Sequence, residues 1–411
     1  MLFVVGLFGG SLINWASYSL AWNPRPVSPW ATGLVGIPPR RWFDRIPLFG
    51  WIFLRRESPV HGGGFWIRPF LVEMACGFAL AWLYWWEVDQ KALWPHAVRT
   101  LTDPELRFAI TRADHVRFVV HSMLFGFMTT ASLIDLDERT IPDSITVPGT
   151  LLGLLAMSLF PVALLPVVYG DVDGRFIPGF LSVSSPDPPP VWMEGYPRSV
   201  SVLLGLAAWW LWIFALLPRT WYARHGARRA LTLMWARLGR ERLTARLLVL
   251  GLIGSAVIVA LWRTSGGGWF GLATGLVGMA AGALIIWAVR IVGSQSLRSE
   301  AMGFGDVTLM AMIGVYVGWQ SCLVIFFLAP FFALGFGVLN YVIRRDKSVP
   351  YGPFLCLGAA ALIVFWESIW AFMEGIFVLG RLIPLFFAAC LALMAILLTF
   401  WRLVRDAIWG G

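Results

Sequence analysis

Charge is scarce in this chain. Asp, Glu, Lys and Arg together make up 13% of its 411 residues, and 58% are hydrophobic; a soluble domain carries about a quarter charged residues. Composition therefore overrides the two or three soluble domains that length alone would suggest. Cysteine is scarce too. Cys76, Cys322, Cys356 and Cys390 each lie in an apolar stretch and form no C-x-x-C pair. They read as small buried hydrophobes, which excludes a disulfide framework and a thiolate zinc site. His61, His96, His115, His121 and His225 are scattered with no H-E-x-x-H, so a zinc protease is excluded as well. No internal repeat suggests an inverted transporter pair. The opening run 1–22 lacks a basic segment and an A-x-A cleavage site, and reads as a retained first span.

What the chain has in abundance is long apolar runs. Segments of about twenty such residues cross a bilayer as helices. The candidates are 1–22, 69–86, 116–134, 144–169, 198–217, 246–262, 269–292, 306–318, 319–343, 352–374 and 382–402. The pattern predicts an all-α, polytopic integral membrane helical bundle of about 9–11 transmembrane helices. Gly318, with Gln320 and Ser321, marks a break in the longest run, and the proline-rich Ser182–Pro190 reads as a non-helical, exposed linker. Two regions are expected: an N-terminal one at 1–115 and a membrane core at 116–411, with inserted loops at 170–196 and 219–246.

The net charge of +9 is carried largely by loops. Arginines crowd 23–68 and 218–245, and Arg344, Arg345 and Lys347 follow another span, whereas 170–196 is acidic. The positive-inside rule places the basic loops in the cytoplasm and 170–196 outside. The expected partner of this charge is the lipid bilayer, not nucleic acid.

Two acidic motifs sit at the edges of apolar runs, Asp135-Leu-Asp-Glu-Arg-Thr-Ile-Pro-Asp143 and Gly303-Phe-Gly-Asp306. A carboxylate at a span edge marks a functional site by default. Two of them, brought together by packing, can share one proton and act as an acid–base pair. Gly303 and Gly305 let backbone or substrate approach Asp306 closely, and Phe304 would face lipid or substrate. The same acids also suit a proton relay, an ion site, a solvated loop or a helix N-cap.

Several segments together resemble the type IV prepilin peptidases, GxGD intramembrane aspartyl proteases. They are Gly10-Ser-Leu-Ile-Asn14, Ile46-Pro-Leu-Phe-Gly-Trp51 with Leu54-Arg-Arg56, Arg68-Pro-Phe-Leu-Val-Glu73, the two acidic motifs, and Tyr351-Gly-Pro-Phe354. The resemblance implies a membrane endopeptidase that cleaves the basic leader of prepilin or pseudopilin precursors at the cytoplasmic face of the bacterial inner membrane. Asp135 and Asp306 would be its catalytic pair. Asp137, Glu138, Asp143 and Glu73 are candidate leader contacts, and Glu73 with the loop arginines would also organise the cytoplasmic side. S-adenosylmethionine would enter only if the family's N-methylation is retained; cleavage itself needs no cofactor. Zinc is not expected, because Ser28-Pro-Trp-Ala and Ser58-Pro-Val-His-Gly-Gly-Gly64 stand where the family has cysteine pairs. Thr308 stands where it has lysine. The rival readings are a transporter or ion-binding protein using the two aspartates, and an inactive homologue scaffolding pilus or secretion assembly.

Overall fold

A computed structural model describes residues 1–31, 39–100, 102–170, 176–217, 232, 236, 240–298, 302–344, 350–380 and 382–409. Most of the basic 219–246 connector and the acidic residues Asp171 and Asp173 therefore lie outside the described residues. The main elements are α1 (Leu2–Ser19), α2 (Ile67–Tyr84), α3 (Pro104–Glu138) and α4 (Asp143–Leu159), then a hairpin of β1 (Pro166–Gly170) and β2 (Phe176–Phe180). There follow α5 (Ser199–Ala215), α6 (Arg242–Thr264), α7 (Gly267–Leu297), α8 (Gly305–Arg344), α9 (Gly352–Val364), α10 (Trp366–Phe377) and α11 (Leu382–Trp409).

The chain is an integral membrane protein, and its described residues form an all-helical bundle apart from that one hairpin. Among the described residues seven helices are long and apolar enough to cross a membrane, or eight if α9 and α10, bent by 95°, form one span. This is fewer than the expected 9–11. The runs 144–169 and 198–217 yield helices of only 17 residues, and α8, from the run 306–343, counts once among the seven although it is kinked at Gly318. Pro161 and Pro166 explain the shortened α4: without N–H groups they cannot extend the helix ladder, and the chain continues as a strand.

Helix α3 starts on a proline, where the missing N–H is no loss, and the Asp103 side chain accepts from Glu105 N at 3.0 Å. It runs unbroken past residue 115, so no structural break marks the 115/116 boundary.

Bilayer lipid is as apolar as leucine, so helices associate through close packing of small residues. A Cβ on Gly6 would fall 2.6 Å from the Cys76 carbonyl, and one on Gly10 as close to Glu73 Cα, which fixes α1 on α2. Gly278 and Gly314 similarly bring the backbones of α7 and α8 into contact.

Helix α8 folds back on itself. A Cβ on Gly282 would meet the Met310 carbonyl at 2.5 Å and Cys322 Sγ at 3.2 Å, yet twelve residues of straight helix span about 18 Å. The chain reverses at Gly318, whose φ of 78° and ψ of 169° belong to a region essentially restricted to glycine. The break read from the sequence is thus a helical hairpin. The segment after β2 closes its tip: Leu181 packs on Gly318, Trp319 Nε1 donates to the Val183 carbonyl at 2.7 Å, and Gln320 Nε2 donates to the Ser182 carbonyl at 2.7 Å. Ser182 and Ser185 are buried, so the first half of the expected exposed linker is a plug, and only Asp187, Pro188 and Pro189 are exposed. The plug is non-helical, as its prolines require, but its carbonyls are needed by α8.

Candidate active site

Asp135 lies in the last turn of α3 and Asp306 in the first turn of α8. Both are buried, 4% and 7% exposed. The turn between α3 and α4 explains how the two helix ends meet. Arg139 closes α3 in the left-handed conformation, and Pro142 then caps α4. Between them Ile141 packs against two glycines. A Cβ on Gly305 would lie 2.9 Å from Ile141 Cβ, and one on Gly352 would lie 2.7 Å from Ile141 Cδ1 and 2.6 Å from Asp135 Oδ2. The start of α8, the start of α9 and the end of α3 therefore converge on one point.

At that point Asp306 lies within electrostatic range of Asp135. The Gly352 N–H donates to the Asp135 carboxylate, while Asp135 Oδ2 is buried and accepts no hydrogen bond. Cys356, one turn into α9, faces both acids and contacts Ser132. Burial, with Asp306 beside it, pushes the Tyr351 phenol up to about 12, so Tyr351 is a neutral hydroxyl at physiological pH. Among the described residues no cation lies within ion-pair distance of either carboxyl. Thr308 is buried and donates to the Gly305 carbonyl at 3.1 Å, bracing the turn before Asp306. Phe304 is half-buried, with the Arg290 guanidinium 5.9 Å from its ring, and Arg290 Nε donates to the Met302 carbonyl at 2.9 Å.

The remaining acids of the first motif have protein partners. Asp137 bonds Arg68 at 2.6 Å and pairs with Arg25 at 3.7 Å. Glu138 accepts from the backbone N–H groups of Trp22 and Asn23 at 2.8 and 2.9 Å. Asp143 opens α4 and is likewise partnered. Glu73 is completely buried and accepts from Leu48 N at 2.6 Å, Trp51 Nε1 at 2.8 Å and Asn14 Nδ2 at 3.4 Å. It joins α1, α2 and the intervening loop. The basic loop and the end of α3 consequently share one face of the bundle.

Gly352 and Cys356 adjoin the site, and neither is legible as part of it in the sequence. Tyr351-Gly-Pro-Phe354 was visible as a motif, but nothing in its spacing shows that Gly352 touches Asp135.

The loop between α1 and α2 is held by arginines. Arg40 is bidentate to Glu57, at 2.7 and 3.0 Å, and donates to the carbonyls of Pro26, Ser28 and Ala31. Arg56 is bidentate to Asp44. Burial works to raise the Asp44 pKa, but Arg56 and the Arg41 N–H outweigh it and hold the carboxyl below its ordinary value. Zinc does not fit this arrangement: the loop has no thiol, and a guanidinium fills the junction of its segments. Among the described residues no three His, Cys, Asp or Glu side chains gather as a metal site.

Residues 231–338, which include Asp306, match the type IV leader peptidase family. The chain is 31% identical to leader peptidase HopD of Escherichia coli over 161 residues, 37% of this chain and 86% of that protein. The chain belongs to the type IV leader peptidase family. It is also 28% identical to a prepilin leader peptidase/N-methyltransferase of Aeromonas salmonicida over 106 residues, 25% of this chain. A protein of the same name from Burkholderia pseudomallei is 27% identical over 131 residues, 31% of this chain. The match spans only 36% of the length of the Aeromonas relative and 41% of the Burkholderia one. No solved structure matches.

Proposed function

We propose that this family member is an aspartyl endopeptidase that removes the basic leader from type IV prepilin or pseudopilin precursors at the cytoplasmic face of the bacterial inner membrane. The observation that carries the reading is a pair of buried carboxyls with, among the described residues, no cation within ion-pair distance of either. Two such groups hold one proton jointly, and their titration belongs to the pair.

The ionised partner removes a proton from water, and the water oxygen attacks the scissile carbonyl carbon. The protonated partner donates to the carbonyl oxygen. When the tetrahedral intermediate collapses, the C–N bond breaks and the departing nitrogen takes a proton from the pair. The neutral Tyr351 phenol and the Gly352 N–H would orient the carboxyls. Low local polarity strengthens each of these interactions. Asp137, Glu138 and Asp143 would surround the approach with acidic groups for a basic leader, whose lysines must compete with Arg25 and Arg68 for Asp137. The positive-inside rule supports the orientation, since the arginine-rich loop shares its face with Asp135.

Methyl transfer, in several relatives' names, draws on S-adenosylmethionine, a sulfonium cation. It would be a second step after cleavage, and the carboxyl pair carries the cleavage reading.

Co-expression with a pilin-like precursor tests this reading by the mass of the product. Wild type should remove the leader, and Asp135→Asn or Asp306→Asn should each abolish removal while the protein remains in the membrane. Wild-type turnover by either variant would sink the assignment.

A further inference from the structure

Where α1 ends and α2 begins, a cavity of about 520 Å³ is lined by Tyr18, Arg25, Val60, His61, Phe65 and Arg68, among others. Its charge is unbalanced. Arg25 and Arg68 share a single carboxylate, Asp137, and their side chains are 49% and 41% exposed. Glu57, near His61, is already neutralised by the bidentate Arg40. The two arginines and one aspartate leave about one positive charge beside the cavity. His61 Nε2, on a side chain only 9% exposed, is buried and makes no hydrogen bond, with Glu57 Oε2 the nearest carboxylate atom at 3.4 Å. Val27, Val60 and Phe65 give the cavity an apolar wall.

Position narrows the ligand class. Tyr18 closes one membrane helix and Arg68 opens the next, so the cavity lies at the level where spans meet water. The neighbouring loop exposes Phe49, Phe53 and Ile67. Arg55 stacks on Trp66 at 3.8 Å, and Arg45 lies 5.1 Å from the Trp30 ring. Such a mixture of apolar and basic side chains lies favourably on an anionic leaflet, and basic pockets beside transmembrane helices hold anionic headgroups.

We propose that this cavity binds a phosphate monoanion, supplied by the phosphodiester headgroup of an anionic phospholipid, with Arg25 and Arg68 as its cationic clamp. The apolar wall takes the glycerol end of the lipid. Asp137 competes for the same two guanidinium groups. The inference does not depend on the peptidase reading.

The test uses the full-length protein, stripped of lipid in dodecyl maltoside, with adducts read by native mass spectrometry. Phosphatidylglycerol should bind about tenfold more tightly than phosphatidylcholine, a factor set by the two cationic contacts. Arg25→Gln should remove that preference. Asp137→Asn should strengthen it, a gain that a misfolded variant could not produce. Equal binding of the two lipids, or an unchanged preference in Arg25→Gln together with no gain in Asp137→Asn, would overturn the proposal. Inorganic phosphate and glycerol 3-phosphate form the soluble arm. Displacement of phosphatidylglycerol by either at equal concentration would overturn the lipid source, and failure to displace it would support that source.

Discussion

Helix α3 carries two buried aspartates, and the company each keeps is different. Asp114, toward the start of the helix, bonds Arg117 at 2.7 Å and accepts from Trp94 Nε1 at 2.8 Å. Arg117 is completely buried and also donates to the carbonyls of Leu164 and Val162, at 3.1 and 3.0 Å. Asp135, six turns later, has another acid as its ionisable neighbour. A cation beside a buried acid favours its charged form, and here the pair ties α3 to the segment before β1. A buried acid facing an acid cannot be fixed in that way, since the two must share a proton. The first arrangement suits a structural post, and the second suits acid–base chemistry.

Removing the cation from the first pair should have the largest effect on folding. Arg117→Gln strands Asp114 in the bundle and should lower stability by roughly 3–5 kcal/mol, while the folded fraction keeps its cleavage rate. Thermal unfolding and cleavage per folded molecule separate the two effects. A loss of rate at full stability would erase the distinction between the pairs.

Gly352→Ala approaches the second pair from the other side. Its Cβ would fall 2.6 Å from Asp135 Oδ2, so the carboxyl must move. A displacement on this scale should slow cleavage roughly a hundredfold with a much smaller change in melting temperature. Single-turnover kinetics on the precursor provide the check, and an unchanged rate would mean that the Asp135 geometry is not limiting.

Metal removal should do less still. With Arg40 and Arg56 holding the loop, chelator treatment should leave cleavage unchanged, and elemental analysis should find no stoichiometric zinc. The smallest effect belongs to Asp137→Asn, whose carboxylate is held by Arg25 and Arg68. It should change cleavage by about threefold or less, as expected for a partly exposed ion pair, measured with the same precursor.

The membrane class, the two acidic motifs and the hinge at Gly318 were legible in the sequence because each rests on composition or a local residue requirement. An aspartate at the edge of an apolar run stands out in one dimension. So does a glycine followed by polar residues within a long span. The contact of Gly352 with Asp135 was not legible, because it joins residues more than two hundred positions apart through tertiary packing. The burial of Ser182 and Ser185 was hidden for the same reason. Prolines show that a segment is non-helical, but they do not reveal that its carbonyls are required by Gln320 on another element. Likewise, nothing in the spacing around Glu73 shows that it accepts from Leu48, Trp51 and Asn14, donors on the loop and on α1.

The most direct measurement is single-turnover cleavage of a pilin-like precursor by Asp135→Asn, Asp306→Asn and the double variant, each at equal amounts of folded protein. Groups that act as a unit are not additive. Either single substitution should reduce the rate as far as both together. Substantial turnover in one single variant, with a further large loss in the double, would contradict a shared acid–base pair.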